Sequence, residues 1–224
     1  MNFINIEGLD ASGKSTQIRL LRQYFQEHNI PHQYLHFPRT DSPVFGKLIG
    51  MFLRGELGAI DAVNPYLVAL IYAGDRNDAK AMLQEWMEQD YLLLVDRYVY
   101  SNIAFQGAKL EDDKEIEELS SWIKYLEYEY YQIPRPDINF FLDVPTEFTR
   151  SMLKNKRKGT DREYLQGKDD IHEKDLDFQK SVREIYLREI SNEGDFRLID
   201  CRDQSGKMLD SMEIRDKMLK ILKL

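Results

Sequence analysis

Cysteine is nearly absent from this chain. Cys201 is the only one among 224 residues, so no intramolecular disulfide can form and a reducing compartment, the cytoplasm, is expected. Long apolar runs are missing too. No stretch reaches the roughly 18–20 apolar residues of a membrane helix, and no membrane partner is expected. The opening MNFINIEGLD lacks a basic region followed by a long apolar run, so no signal peptide is expected. Positive charge is in deficit: 31 Lys and Arg against 39 Asp and Glu give a net charge of −8. That balance argues against nucleic-acid or membrane surfaces as partners. Small anions stay open as substrates, because a local basic pocket outweighs acidic surface lying beyond a Debye length of about 8–10 Å. There is no repeat or low-complexity segment, and the length suits one sizeable core, so residues 1–224 are expected to form a single domain.

What is present alternates. Strand-like runs occur at FINIEG (3–8), HQYLHF (32–37), YLLLVD (91–96), INFFLDV (138–144) and DFRLID (195–200). Consecutive apolar residues such as Leu92, Leu93, Leu94 and Val95 suit a strand buried on both faces of a parallel sheet. Helical spacing lies between the runs: Ile18, Leu21 and Phe25; Ile116, Leu119, Ile123, Leu126 and Tyr130; and Leu209, Met212 and Leu219. PRPD (134–137) reads as the turn into the fourth strand. The expected fold is α/β, a doubly wound sheet of about five parallel strands with helices on both faces. Residues 154–175 break the pattern, being polar and carrying Lys154, Lys156, Arg157, Lys158 and Arg162. A solvated loop is the plain reading of such a charge run. A mobile lid that closes over phosphates is the functional one.

Three motifs carry chemistry. EGLDASGKST (7–16) spaces Gly8, Gly13, Lys14 and Ser15 as a phosphate-binding loop does, between an apolar strand and a helix. Gly8 and Gly13 let backbone N–H groups approach phosphate oxygens, and Lys14 brings charge to the distal phosphates. Ser15 is placed to ligate Mg²⁺, and Thr16 can reach another phosphate. LLLVDRY (92–98) sets Asp96 at a strand end, the usual place for the acidic residue of a Mg²⁺ site, with Arg97 beside it. A structural ion pair is the alternative for Asp96. Finally, Arg39 follows the second strand, and Tyr72 and Arg76 share a helix face. They could cradle a planar base, but spacing alone favours core packing for Tyr72 and a surface salt bridge for Arg76.

EGLDASGKST, FPR, LIYAGDR, VDRYVYSNIAFQGA and TDRE, in this order over nearly the whole chain, resemble the thymidylate kinases, P-loop nucleoside monophosphate kinases that phosphorylate dTMP with ATP. The resemblance implies ATP as co-substrate, Mg²⁺ as cofactor and a homodimer. It implies ATP contacts along Gly8, Ala11, Ser12, Gly13, Lys14, Ser15 and Thr16, with Ser15 and Asp96 at the metal. For dTMP it implies Asp10 toward the sugar hydroxyl, Phe37 and Arg39 near the acceptor phosphate, and Arg97 on that phosphate. It further implies Tyr72 stacked on thymine, Arg76 and Asn102 on the base edge, and Ser101 and Phe105 nearby, the ring of Phe105 against the deoxyribose. Arg157 and Arg162 resemble lid arginines, while Glu173 and Asp175 are open candidates for metal or base contacts.

Departures are visible. Tyr72 stands where the family usually has Phe. FPRT is one residue shorter than the Phe-Pro-Glu-Arg form, and Ala11-Ser12 supplies no arginine within the loop. A catalytic positive charge is therefore expected from Arg157 or Arg162. Two other pyrimidine-directed readings remain at this point: a deoxynucleoside kinase, using Asp10 or Asp96 as a base, or another pyrimidine monophosphate kinase. A nucleotide-gated switch is disfavoured, because the one Asn-Lys pair, Asn155-Lys156, continues as Arg157-Lys158 and lacks the aspartate of a guanine reader.

Overall fold

Each apolar run becomes a strand. In the computed structural model, which describes residues 2–59, 62–154 and 176–224, these are β1 (Phe3–Gly8), β2 (His32–His36), β3 (Leu92–Asp96), β4 (Ile138–Asp143) and β5 (Phe196–Asp200). All neighbouring pairs are parallel, in the order β2-β3-β1-β4-β5. β1 thus lies between β3 and β4, with Ile6 opposite Asp96 and Gly8 opposite Leu142. The chain reverses direction of winding at β1, so the loop after β1 opens into the crevice at the carboxyl edge of the sheet.

Strand residues divide by parity. Ile4, Ile6, Leu94, Phe140 and Leu142 pack with Ile18, Leu21 and Phe25 of α1 (Lys14–Glu27) and with Ile214, Met218 and Leu222 of α9 (Ser211–Leu222). Phe3, Leu93, Val95 and Phe141 face the opposite layer. That layer holds α4 (Lys80–Glu88), α5 (Val99–Gly107), α6 (Asp113–Lys124) and α8 (Leu176–Asn192). Helices on both faces bury the consecutive apolar residues that a one-sided sheet would expose. α7 (Thr146–Lys154) follows β4. The expected lid residues Arg157 and Arg162, together with Glu173 and Asp175, lie outside the described residues. Among the described residues no helix is long and apolar enough to cross a membrane.

Two helical expectations are corrected. Leu209 is outside α9, because the Asp210 side chain caps that helix in a reciprocal capping box with Glu213. Met212 is consequently exposed, and the buried face is Ile214, Met218, Leu219 and Leu222. Tyr130 is 70% exposed although Ile116, Leu119, Ile123 and Leu126 are buried. The helix widens to π geometry over Tyr125–Tyr130, which ends the 3.6-residue period that the pattern relied on.

A smaller cluster builds one wall of the crevice. Ile49, Phe52 and Leu53 of α2 (Phe45–Leu53) meet Val68 of α3 (Pro65–Asp78), with Tyr72 packed at its margin. Asn64 caps α3 by accepting from Tyr66 N, and Pro65 pre-sets its first turn. Gly74 lets the two helices close: a Cβ there would meet Phe45 at 2.1 Å. Gly74→Ala gains about 1 kcal/mol of helix propensity, which the clash should outweigh, leaving a net loss of about 1–3 kcal/mol. Urea unfolding reads this, and a variant as stable as the parent would mean that Phe45 yields freely.

Candidate active site

The loop after β1 is shaped by its glycines. Gly13 takes the left-handed conformation at φ 84°, and a Cβ on Gly8 would come 2.6 Å from Ser12 Oγ. Lys14 folds back across the loop, and its Nζ donates to Gly8 O at 3.1 Å and Leu9 O at 2.9 Å. Burial first, and then the charge of Arg97, lower its ammonium pKa to about 8. Ser15 and Thr16 are exposed on the first turn of α1, which has no acidic residue of its own. The positive end of that helix is thus left for an anion.

At the end of β3, Asp96 is 4% exposed and its Oδ2 lies 3.2 Å from His36 Nδ1. Burial would raise this carboxyl, but His36, Lys14 and Arg97 together hold it below the ordinary aspartate value. Its Oδ1 is buried and has no hydrogen-bond partner among the described residues. An orphaned carboxylate oxygen next to the loop suits a cation. No cluster of three His, Cys, Asp or Glu occurs among the described residues, so such a cation would need phosphate oxygens to complete its shell.

Arg97 sits at φ 65°, a left-handed conformation that non-glycine residues adopt at a cost. The turn sends its side chain back over the loop. Nη2 donates to Asp10 Oδ1 at 2.7 Å, Nη1 to Ser101 Oγ at 3.2 Å, and the guanidinium lies 5.0 Å from the ring centroid of Phe105. Against the burial that would lower it, the carboxylates around Arg97, Asp10 first, raise its pKa. Gln179 of α8 completes the group by donating to Asp10 Oδ2 at 3.0 Å.

Beneath them lies a residue the sequence reading passed over. Glu7, fully buried, accepts from Tyr98 N at 2.8 Å, Ser101 N at 3.2 Å, Asn5 Nδ2 at 3.0 Å, Tyr186 Oη at 2.9 Å and Ser101 Oγ. Its carboxylate caps the N-terminus of α5. The signal was in plain view: an acidic residue inside an otherwise apolar strand run must find donors.

The α3 wall behaves differently from expectation. Arg76 is 2% exposed and forms a two-pronged ion pair with Glu127, through Nε to Oε2 and Nη2 to Oε1. It is not the surface salt bridge that spacing favoured, because α3 turns that face toward the π-helical segment. Asn102 donates to Ala69 O and to Glu127 Oε1, both at 3.0 Å. Tyr72 is half-buried, consistent with packing. Phe37 is 1% exposed and sits 5.7 Å from the Tyr98 ring. Arg39 is anchored by Asp75 and Asp78, Nη2 reaching Asp78 Oδ2 at 2.6 Å. The structure thus gathers Asp10, Lys14, Asp96, Arg97, Ser101 and Phe105 at one point and Arg76 and Asn102 at a second, with Arg39 held beside α3. Asp75, Glu127 and Gln179 were missed, since nothing in their spacing pairs them with distant partners.

A family model described as Thymidylate kinase matches residues 6–212. A thymidylate kinase of Sulfurihydrogenibium sp. is 32% identical over 99% of this chain and 96% of its own length. A probable thymidylate kinase of Pyrobaculum aerophilum is 31% identical over 90% and 88%. The solved thymidylate kinase of Candida albicans superposes with a TM-score of 0.73 at 22% identity, covering 98% of this chain and 90% of that one; it shares the fold.

The lowered Lys14 ammonium gives a pH test. In the free protein it loses its proton as pH rises through about 8, so tripolyphosphate should bind well at pH 7 and weaken above 8. Calorimetric titration of the parent and of Lys14→Met between pH 6.5 and 9.5 should show this slope only in the parent. A flat parental profile would separate Lys14 from anion binding.

Proposed function

The chain belongs to the thymidylate kinase family, and from that premise we propose how its residues divide the work of phosphoryl transfer from ATP to dTMP. The ATP phosphates lie along the backbone of Gly8, Ala11, Ser12 and Gly13, with Lys14, Ser15 and Thr16 on their oxygens. Mg²⁺ belongs at Ser15 and Asp96, where the orphaned Oδ1 supports it, and would neutralise charge on the transferring group. Arg97 holds the acceptor phosphate, and Arg39 is its anchored second support. Asp10 faces the sugar hydroxyl, Phe105 the deoxyribose, and Ser101 fixes Arg97. Tyr72 stacks on the base and Phe37 backs the turn that carries Arg39. The base edge is read by Arg76 as donor and by Asn102 Oδ1, buried and without a partner, as acceptor. Arg157 and Arg162 supply the lid charge that Ala11-Ser12 does not. No protein nucleophile is required, since the acceptor oxygen is already anionic; positioning and charge compensation suffice.

One observation carries the choice of acceptor: Arg97 pairs with Asp10 at 2.7 Å. A nucleoside kinase needs a free carboxylate base beside the sugar hydroxyl. Here the loop carboxylate is neutralised by an arginine placed for a phosphate. The same reading includes a single domain over the whole chain, a homodimer and a cytoplasmic home. Leu67 and Leu70 on α3 and Val44 before α2 stand exposed and apolar, which supports a self-association face. Cys201 is buried and unpaired, which supports a reducing compartment.

An ATP-coupled assay with dTMP, dUMP, thymidine, CMP and AMP tests the acceptor. Turnover is expected on dTMP, and turnover on thymidine but not dTMP would overturn the reading. Lys14→Ala should lower kcat on the order of 10²–10³-fold with an unchanged circular dichroism spectrum. Near-parental kcat would remove Lys14 from the transition state. Arg157→Ala and Arg162→Ala should differ, one losing mainly kcat and the other mainly ATP affinity; equal small effects would dismiss the lid arginines.

A further inference from the structure

We propose that Glu127 is a positioning residue that sets which base the acceptor site admits, by fixing Arg76 and Asn102 so that the pocket presents a hydrogen-bond donor beside an acceptor. The proposal rests on the reading of Arg76 and Asn102 as base contacts.

Glu127 is 0% exposed, and Arg76 and Asn102 are each 2% exposed. Its two oxygens meet three donors: Nε and Nη2 of Arg76, and Nδ2 of Asn102 at 3.0 Å. The other Asn102 amide hydrogen goes to Ala69 O at 3.0 Å. A carboxylate and a backbone carbonyl can only accept, so they dictate the orientation of the Asn102 amide. Its NH₂ faces them, and Oδ1 must point away. That oxygen is buried and has no hydrogen-bond partner among the described residues. Arg76 is similarly placed, since Nη1 makes no hydrogen bond among the described residues. A fixed donor and a fixed, unsatisfied acceptor are what a ligand edge with the opposite pattern would satisfy.

Stability alone does not account for this arrangement. A buried ion pair can usually be replaced by apolar residues at little cost. Effort has also gone into delivering the carboxylate. Leu126, Glu127 and Tyr128 are consecutive and all buried, and they lie in the segment of π geometry, Tyr125–Tyr130. The helix is thus widened where Glu127 enters, and such π turns are frequent at functional sites.

The chemistry follows from the base edges. A keto pyrimidine offers a ring N3–H donor flanked by carbonyl acceptors. An amino pyrimidine offers an N3 acceptor and an amino donor. The first matches Asn102 Oδ1 and Arg76, and the second sets acceptor against acceptor and donor against donor. Sites built on such pairs reject the mismatched ligand strongly. If Glu127 is replaced, Arg76 loses its clamp and the Asn102 amide keeps only Ala69 O.

Glu127→Gln is the test, because it keeps the volume but offers one acceptor oxygen to three donors. Glu127→Asp, which keeps the charge but shortens the reach, is its companion. For each folded variant, kcat and KM are measured with dTMP, dUMP and dCMP, along with KM for ATP and thermal stability. Glu127→Gln should raise the KM for dTMP about tenfold, hold kcat within about threefold and cut the preference for dTMP over dCMP about tenfold or more. KM for ATP should stay unchanged. A dTMP-to-dCMP preference within about twofold of the parent would overturn the proposal even if stability falls. Failure of both variants to fold would make Glu127 a structural charge and overturn it as well. A parent protein inactive on dTMP would instead defeat the substrate reading, and the proposal with it.

Discussion

A single buried carboxylate organises the centre of this protein. Glu7 is the penultimate residue of the central strand, just ahead of the phosphate loop, and collects donors from Asn5, Tyr98, Ser101 and Tyr186. Those residues belong to β1, the start of α5 and the middle of α8. A charge with no water around it is tolerable only when its lone pairs are filled. The requirement locks the N-terminus of α5 against the strand that carries the loop. Arg97 and Ser101 are thereby placed relative to Lys14 by electrostatic necessity and not by shape alone.

The same logic extends outward in layers of alternating sign. Around Glu7 stand Ser101 and Tyr186; over Ser101 lies Arg97; Arg97 holds Asp10, and Asp10 is finished by Gln179. Each member is oriented by the one below it, so Arg97 and Asp10 are held in place by the protein's own contacts. The strained backbone of Arg97 is sustained by this chain of contacts. Arg76, Glu127 and Asn102 make a second network, joined to the first through Ser101 and Asn102, neighbours on α5, and through Tyr98, whose N–H donates to Glu7 and whose ring lies 6.0 Å from the Arg76 guanidinium.

Much of this was legible in the residues themselves. Strand-like runs located all five strands to within two residues; in β1, β3 and β4 burial on both faces leaves no room for alternation, whereas the edge strands β2 and β5 are partly exposed. Gly8, Gly13, Lys14 and Asp96 declared the loop and its acidic neighbour, because spacing and strand context are local properties. What stayed hidden was pairing across the chain. Arg76 and Glu127 are 51 residues apart, and Asp10 and Gln179 are 169 apart; no periodicity links them. The π turn was invisible for a related reason. It coincides with the buried Glu127, and a 3.6-residue pattern cannot anticipate its own interruption, which is why Tyr130 read as core and stands in solvent.

That interruption makes chain length itself a variable of the network that holds Arg76 and Asn102. In a regular α-helix each residue advances about 100°, so removing one residue just before Glu127 would swing its carboxylate away from Arg76 without altering Arg76 or Asn102. Relatives differing by one residue there would differ in what holds Arg76 and Asn102, even with both of those residues identical. A comparison of pockets residue by residue would miss the change; a comparison of helix registers would find it.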